Sequence, residues 1–239
     1  MFGYYYGFDL TYIVLVLPCV ILAMIASANV NSTFKRYSEK HSYRRITGAQ
    51  AAERVLRANG VSGVRIERVR GNLTDHFDPK SNVIRLSDSV HDSTSVAAIG
   101  VACHEAGHAA QYAHKYAPIH LRAAIIPVTN IGSMLAMPLI LIGLLFVSES
   151  ATSTGFVYAG IACFGLSALF QLITLPVEFN ASRRAMAAIR EGNILTEEEQ
   201  RGARRTLTAA AMTYVAALAV SLAQLLRLIL IFGGRRRND

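Results

Sequence analysis

Four stretches of the chain are apolar over lengths near the roughly 20 residues that a helix needs to cross a bilayer. They run over about 10–30 (LTYIVLVLPCVILAMIASANV), 124–147 (AIIPVTNIGSMLAMPLILIGLLFV), 156–175 (FVYAGIACFGLSALFQLITL) and 207–232. The cluster YYYGF precedes the first, where tyrosines suit the headgroup belt. An ASA tripeptide near its end resembles a signal-peptidase site, yet no Lys or Arg precedes the run. Lys35, Arg36, Lys40, Arg44 and Arg45 follow it instead, which predicts an uncleaved anchor with its N-terminus outside. Pro127, Asn130 and Pro138 interrupt the second run and predict kinks or a partly buried start. SESATSTG, without a basic residue, predicts an external turn before the third run. Arg183, Arg184, Arg190, Arg201, Arg204 and Arg205 after it mark a cytoplasmic side. The fourth run carries Gln224 and Arg227 and ends in GGRRRND. Spanning would put those arginines outside, so a crossing and a re-entrant or cytoplasmic-face segment both stay open.

Between the first two runs the pattern becomes polar and periodic. TGAQAAERVLRANG has helical spacing, with Thr47 as N-cap and Gly60 as the stop. VRIERVRG and NVIRLSDSV alternate as short strands around the turn-rich NLTDHFDPKS. DSTSVAAIGVACHEAGHAAQYA, about 92–113, reads as one helix capped by Asp92 or Ser93. This predicts a small α+β unit pinned to the membrane.

Composition supports the same picture. The 239 residues are 52% hydrophobic and only 17% charged, with mean hydropathy +0.33, which is greasy for a soluble domain. The net charge of +8 sits beside the apolar runs, where it orients membrane helices, and there are no zinc-knuckle spacings or aromatic–basic interleaving. A nucleic-acid partner is therefore not expected. Cys19, Cys103 and Cys163 are too far apart for a CxxC or a disulfide framework and read as buried thiols.

The chemistry lies in HEAGH. His104 and His108, four apart, share one helical face and can aim both imidazoles at one Zn²⁺. Glu105 lies about 100° round the helix, placed to take a proton from a metal-activated water and pass it to a leaving amine. Small Ala106 and Gly107 permit close packing. HExxH also occurs by chance on solvated faces. The apolar VAAIGVAC and AGHAA around it argue for burial, where His–Glu–His without a metal would leave polar groups unpaired.

A hydrolytic site needs a third protein ligand. His114 has the spacing of the metzincins, but those need Gly where this chain has Gln111, and a continuing helix would point His114 elsewhere. Glu178, in TLPVEFNASRRAM, is the preferred ligand: it follows a span at the start of an expected helix after Pro176. A hairpin of the second and third runs would bring it to the same membrane face as residues 92–113. The competing account is an acid complementing a helix N-terminus.

HEAGH, TDHFDP before it, YAPIHLR after it, LPVEFNASRRA and a last apolar segment ending GGRRR resemble the bacterial neutral zinc metallopeptidases of the membrane. The resemblance covers nearly the whole chain and implies a zinc-dependent integral-membrane peptidase. E-x-x-A at 178–181 is similar to the wider gluzincin group, which includes CAAX-processing and heat-shock membrane peptidases. Those relatives usually carry Asp four residues after the ligand Glu, where this chain has Ser182. The nearer family often has Asp in place of Asn180. Which group braces each histidine is thus open.

His76 in LTDHFDP is expected to hold a turn rather than stabilise an oxyanion. His120 and Arg122 are expected at the interface before the second run. NVIRLS is either an ordinary paired strand or an edge that receives substrate by β-augmentation. Tyr112 and Tyr214 are assigned no role.

The expected protein is an α-helical multi-pass membrane protein with a small α+β zincin-like catalytic unit. Its segments are an anchor (1–30), an α+β unit with the HExxH helix (31–123), a transmembrane hairpin (124–175), a helix with the third ligand (176–206), and an apolar segment with a basic tail (207–239). The expected activity is zinc-dependent hydrolysis of peptides or membrane proteins, with His104, His108 and Glu178 on Zn²⁺ and Glu105 as base. The site is expected on the cytoplasmic side of the cell membrane. A site-two-type intramembrane protease is disfavoured because only about eight apolar residues precede Cys103. A non-catalytic scaffold would have no use for Glu105.

Overall fold

The computed structural model describes residues 10–145 and 151–233; YYYGF, the start of SESATSTG and the terminal arginines lie outside the described residues. A π-helical turn, Tyr12–Val16, leads into α1, Leu17–Ser38. Next come α2, Gly48–Ala58; strands β1, Arg65–Val69, β2, His76–Asp78, and β3, Val83–Ser87; and α3, Val96–Ala113. Long helices α4, Ala117–Leu145, α5, Ala151–Glu191, and α6, Glu197–Gly233, complete the chain. Four helices, beginning at Tyr12, Ala117, Thr154 and Glu197, are long and apolar enough to cross a membrane.

The chain divides into two compact units. Unit 1 comprises the chain up to Ile25, Leu121–Leu175 and the chain from Tyr214. Its helices meet at small residues: a Cβ on Gly160 would lie 2.8 Å from the Ala136 carbonyl oxygen, and one on Gly132 3.2 Å from that of Cys163. Ser133 and Ser167 hydroxyls lie 2.7 Å apart. Close small-residue packing with interhelical hydroxyl bonds is how helices associate where no hydrophobic drive is available. Ile140, Val157, Ile161, Leu228 and Phe232 form one apolar cluster. Arg227, in the fourth run, is buried with its guanidinium 5.5 Å from the Tyr12 ring centroid. The fourth run belongs to one unbroken helix, Glu197–Gly233.

Unit 2, Ala26–His120 with Pro176–Thr213, holds the α+β part. Thr47 caps α2 and Gly60 follows it at φ +64°, both as the residue pattern predicts, and Gln50 completes a capping box with Thr47. The sheet order is β1-β3-β2, with β1 parallel and β2 antiparallel to β3. Ile84, Leu86 and Ile99 are fully buried in its core, each worth roughly 1.5–3 kcal/mol of transfer free energy.

Three expectations need correction, and one open alternative, that of NVIRLS, is decided for ordinary pairing. NLTDHFDPKS is not all turn: His76–Asp78 pairs with Val83–Arg85 as β2, because the central strand supplies partners that a three-residue segment lacks alone. NVIRLS forms β3, the central strand, so both its edges are occupied and it cannot accept a further strand. Ser95, not Asp92 or Ser93, caps the HEAGH helix by accepting from Ala98 N–H; Ser93 donates to Ser95, and Asp92 binds Arg68. Pro176 does not start a helix. It lies inside α5, and α5 ends at Glu191 before residue 206. A proline in a helix removes one backbone bond and crowds the preceding turn, a cost that long apolar helices often absorb.

Candidate metal centre

The HEAGH segment occupies the middle of α3, which packs on α2, β2 and β3. His104 and His108 share one face, their ring centroids 4.6 Å apart and nearly perpendicular. Glu178 and Ser182, also four apart, face them from α5. What lets the helices approach is Gly107: a Cβ there would sit 2.7 Å from the Ala181 carbonyl oxygen. Gly107 lies between the two histidines and Ala181 between Glu178 and Ser182, so the closest backbone approach falls at the centre of the four side chains.

Glu178 Oε2 lies 3.2 Å from His104 Nε2 and 3.6 Å from His108 Nε2. One ligand atom from each of the three residues falls within 4.8 Å of the others. Glu178 is 2% exposed, and Glu105 and His108 are 8% exposed. Mid-helix Glu178 has no free helix N-terminus to complement, so the competing account of it fails.

Both imidazoles turn Nε2 inward and use Nδ1 for a brace. Ser182 Oγ lies 3.1 Å from His104 Nδ1. His108 Nδ1 lies 3.0 Å from Gln111 Oε1. Gln111 is fully buried, and its Nε2 donates to the Val177 carbonyl at 2.8 Å and to Asn180 Oδ1 at 3.0 Å. Arg184 Nε donates to the same Asn180 oxygen at 2.9 Å. These are the braces the residue pattern left open: Ser182 serves His104, and Gln111, held by Asn180, serves His108. Gln111 stood out only as the wrong residue for a metzincin turn, and its role depends on a helix 66 residues away.

Burial by itself would push His108 down. The Glu178 carboxylate beside it and the charge of Glu105 outweigh burial and hold it above its ordinary value. These buried groups together favour a positive charge. Two imidazole nitrogens and one carboxylate oxygen, converging, with His108 and Glu178 buried, fit Zn²⁺ in both donor chemistry and charge.

His114 ends α3 as its C-cap. Its Nε2 lies 3.1 Å from the Asn59 carbonyl and its Nδ1 accepts from Arg184 at 3.2 Å, away from the cluster. Cys103 is buried in the apolar core, where burial pushes its thiol up, so it supplies no thiolate. His76 is exposed at the start of β2 with Nδ1 2.9 Å from the Thr74 carbonyl. Tyr112 packs between Phe77 and His120.

A family model described as "Putative neutral zinc metallopeptidase" matches residues 12–233. The chain is 43% identical over 228 residues to "Putative membrane protease YugP" of Bacillus subtilis (strain 168), covering 95% of this chain and 99% of that protein. No solved structure matches.

Proposed function

The chain belongs to the family described as "Putative neutral zinc metallopeptidase", and from that membership we propose a membrane zinc peptidase of gluzincin type. In this reading His104, His108 and Glu178 hold Zn²⁺, and Glu105 is the general base. The carrying observation is the convergence of those three ligand atoms within 4.8 Å, with His108 and Glu178 buried. Two histidines and a glutamate are a donor set of hydrolytic zinc and leave a position for substrate or water. The chemistry supplied by the bound ion is Lewis acidity, which acidifies water and polarises the scissile carbonyl.

The chain's own residues do the rest. Glu105 accepts the proton of the attacking water and returns it to the departing nitrogen. Ser182 and Gln111 hold the imidazole rings, so that both Nε2 lone pairs stay aimed inward. β2 is an edge strand beside α3, and its free edge can take an extended peptide by strand addition. The three-stranded sheet with the HEAGH helix packed on it is the zincin-like unit of this reading. Substrates are peptides or membrane proteins, hydrolysed on the cytoplasmic side, where the arginines after Leu175 belong by the positive-inside rule. α3 is not one of the four membrane-length helices among the described residues, which disfavours the intramembrane alternative.

The test is zinc content and casein cleavage by the detergent-solubilised full chain as wild type, Glu105→Gln and Glu178→Ala. About one zinc in wild type and Glu105→Gln, its loss in Glu178→Ala, and cleavage by wild type alone are expected. Full zinc in Glu178→Ala would remove the third ligand. Cleavage by Glu105→Gln at the wild-type rate would remove the base.

A further inference from the structure

Beside Ser182, α5 and α6 border an open cleft of about 400 Å³ within unit 2. Arg183 and Arg190 of α5 and Arg204 of α6 line it, and no acidic residue does. None of the three arginines is engaged in an ion pair among the described residues. Guanidinium groups around a common cavity repel one another, and an anion relieves that repulsion. The planar fork of each matches phosphate oxygens in particular.

The cleft is also polarised along its length. The two helices are joined by residues 192–196, so they run antiparallel as neighbours. Arg190, Gln200 and Arg204 therefore line the end nearest that connection. Phe179, Leu207 and Ala211 line the opposite end, and Arg183 lies between, one helical turn from Phe179 and about two from Arg190. By sequence, Phe179 follows the apolar run ending at Leu175, and Leu207 and Ala211 lie at the start of the run over 207–232. A free inorganic anion would use only the arginine end. A molecule with a phosphate head and a hydrocarbon tail uses both.

We propose that this cleft binds a phosphate-bearing anionic lipid, with the headgroup on Arg183, Arg190 and Arg204 and an acyl chain along Phe179 and Leu207. This goes beyond the peptidase reading and does not depend on it, since neither zinc nor cleavage enters the test.

The test uses the full chain in a neutral detergent with short-chain phosphatidylglycerol, phosphatidylcholine of the same chain length, or inorganic phosphate. Retained lipid is counted by native mass spectrometry and thermal unfolding is followed in parallel. Wild type should retain phosphatidylglycerol and unfold at a higher temperature with it, while phosphatidylcholine does neither. The triple variant R183Q/R190Q/R204Q should bind phosphatidylglycerol about 100-fold more weakly, and Arg190→Gln alone about fivefold, at roughly a factor of five per arginine. R44Q/R54Q/R70Q, removing as much charge from other segments, should bind as wild type does. Equal loss in that variant would reduce the effect to general surface charge and overturn the proposal. So would equal stabilisation by phosphatidylcholine or by inorganic phosphate, or failure of wild type to retain phosphatidylglycerol.

Discussion

His108 donates its Nδ1 proton to Gln111 Oε1 across 3.0 Å, and a backbone carbonyl fixes the direction of that bond. The Val177 oxygen can only accept, so the Gln111 atom 2.8 Å from it must be the NH₂ nitrogen. The Gln111 oxygen then faces His108, whose Nδ1 must carry the proton. In the neutral ring the lone pair is then on Nε2, the nitrogen that faces Glu178. A ring in the tautomer a metal requires is thus set by one buried amide.

Gln111→Leu removes this constraint, takes one donor from the Val177 carbonyl and leaves the His108 N–H without its acceptor. Zinc affinity should fall about 10- to 100-fold, and stability by about 1–3 kcal/mol. Gln111→Glu keeps an acceptor for His108 but loses the donor to Val177, so it should bind zinc better than Gln111→Leu while unfolding earlier than wild type. Competition against a chromogenic chelator reads the affinities. Affinity in Gln111→Leu within threefold of wild type would contradict the brace.

Ser182 tests the other histidine. Ser182→Ala removes the oxygen 3.1 Å from His104 Nδ1, and zinc affinity should fall about tenfold. Ser182→Asp supplies a charged acceptor at the same helical position and should match or exceed wild type. A rank order with alanine above aspartate would show that Ser182 does not orient the ring.

The parts of the molecule readable in one dimension are those whose cause is local. Apolar runs forecast four long helices, Thr47 forecast a cap, and His104 with His108 forecast a shared face. Long-range causes were not readable. β2 exists because Val83–Arg85 lies beside it, and the capping of α3 passed to Ser95 because Asp92 is claimed by Arg68. Pro176 signalled a boundary that the continuous α5 ignores. Glu178 was readable as a candidate through its place after an apolar run. The roles of Gln111 and Asn180 were not, because each acts only through the approach of α3 to α5.

That approach makes a prediction at Gly107. A Cβ there meets the Ala181 oxygen at 2.7 Å, its carbonyl carbon at 3.3 Å and its Cα at 3.4 Å, all backbone atoms that cannot swing aside. Gly107→Ala should force α3 and α5 apart and destabilise unit 2 by about 1–3 kcal/mol. Glu178 rides on α5, so zinc affinity should fall with stability although no ligand has changed. Gly155, where an added Cβ meets nothing within 4 Å, is the control: Gly155→Ala should leave both unchanged. Thermal unfolding and chelator competition on both variants decide it, and wild-type zinc affinity in Gly107→Ala would sink the account.

The last prediction concerns pH. The Asp75 carboxylate accepts from Ser87 N–H at 2.7 Å and from Ser87 Oγ at 3.0 Å, tying the approach to β2 to the end of β3. Burial pushes it above its ordinary 3.8; the Ser87 bonds pull it down, the nearby charge of Glu105 pushes it up, and the net direction is upward. The folded state therefore holds this proton more tightly than the unfolded chain. Its contribution to stability is full below the unfolded value and is lost as pH rises through the raised folded value. Asp75→Asn removes that dependence while keeping an acceptor for Ser87 N–H. In chelator, the unfolding midpoint of wild type minus that of Asp75→Asn should fall as pH climbs from about 4 to about 7. The fall should shrink when both are measured with Glu105→Gln, because one cause of the shift is then gone. A difference that stays flat or rises over that window would show that Asp75 is not held above its ordinary value.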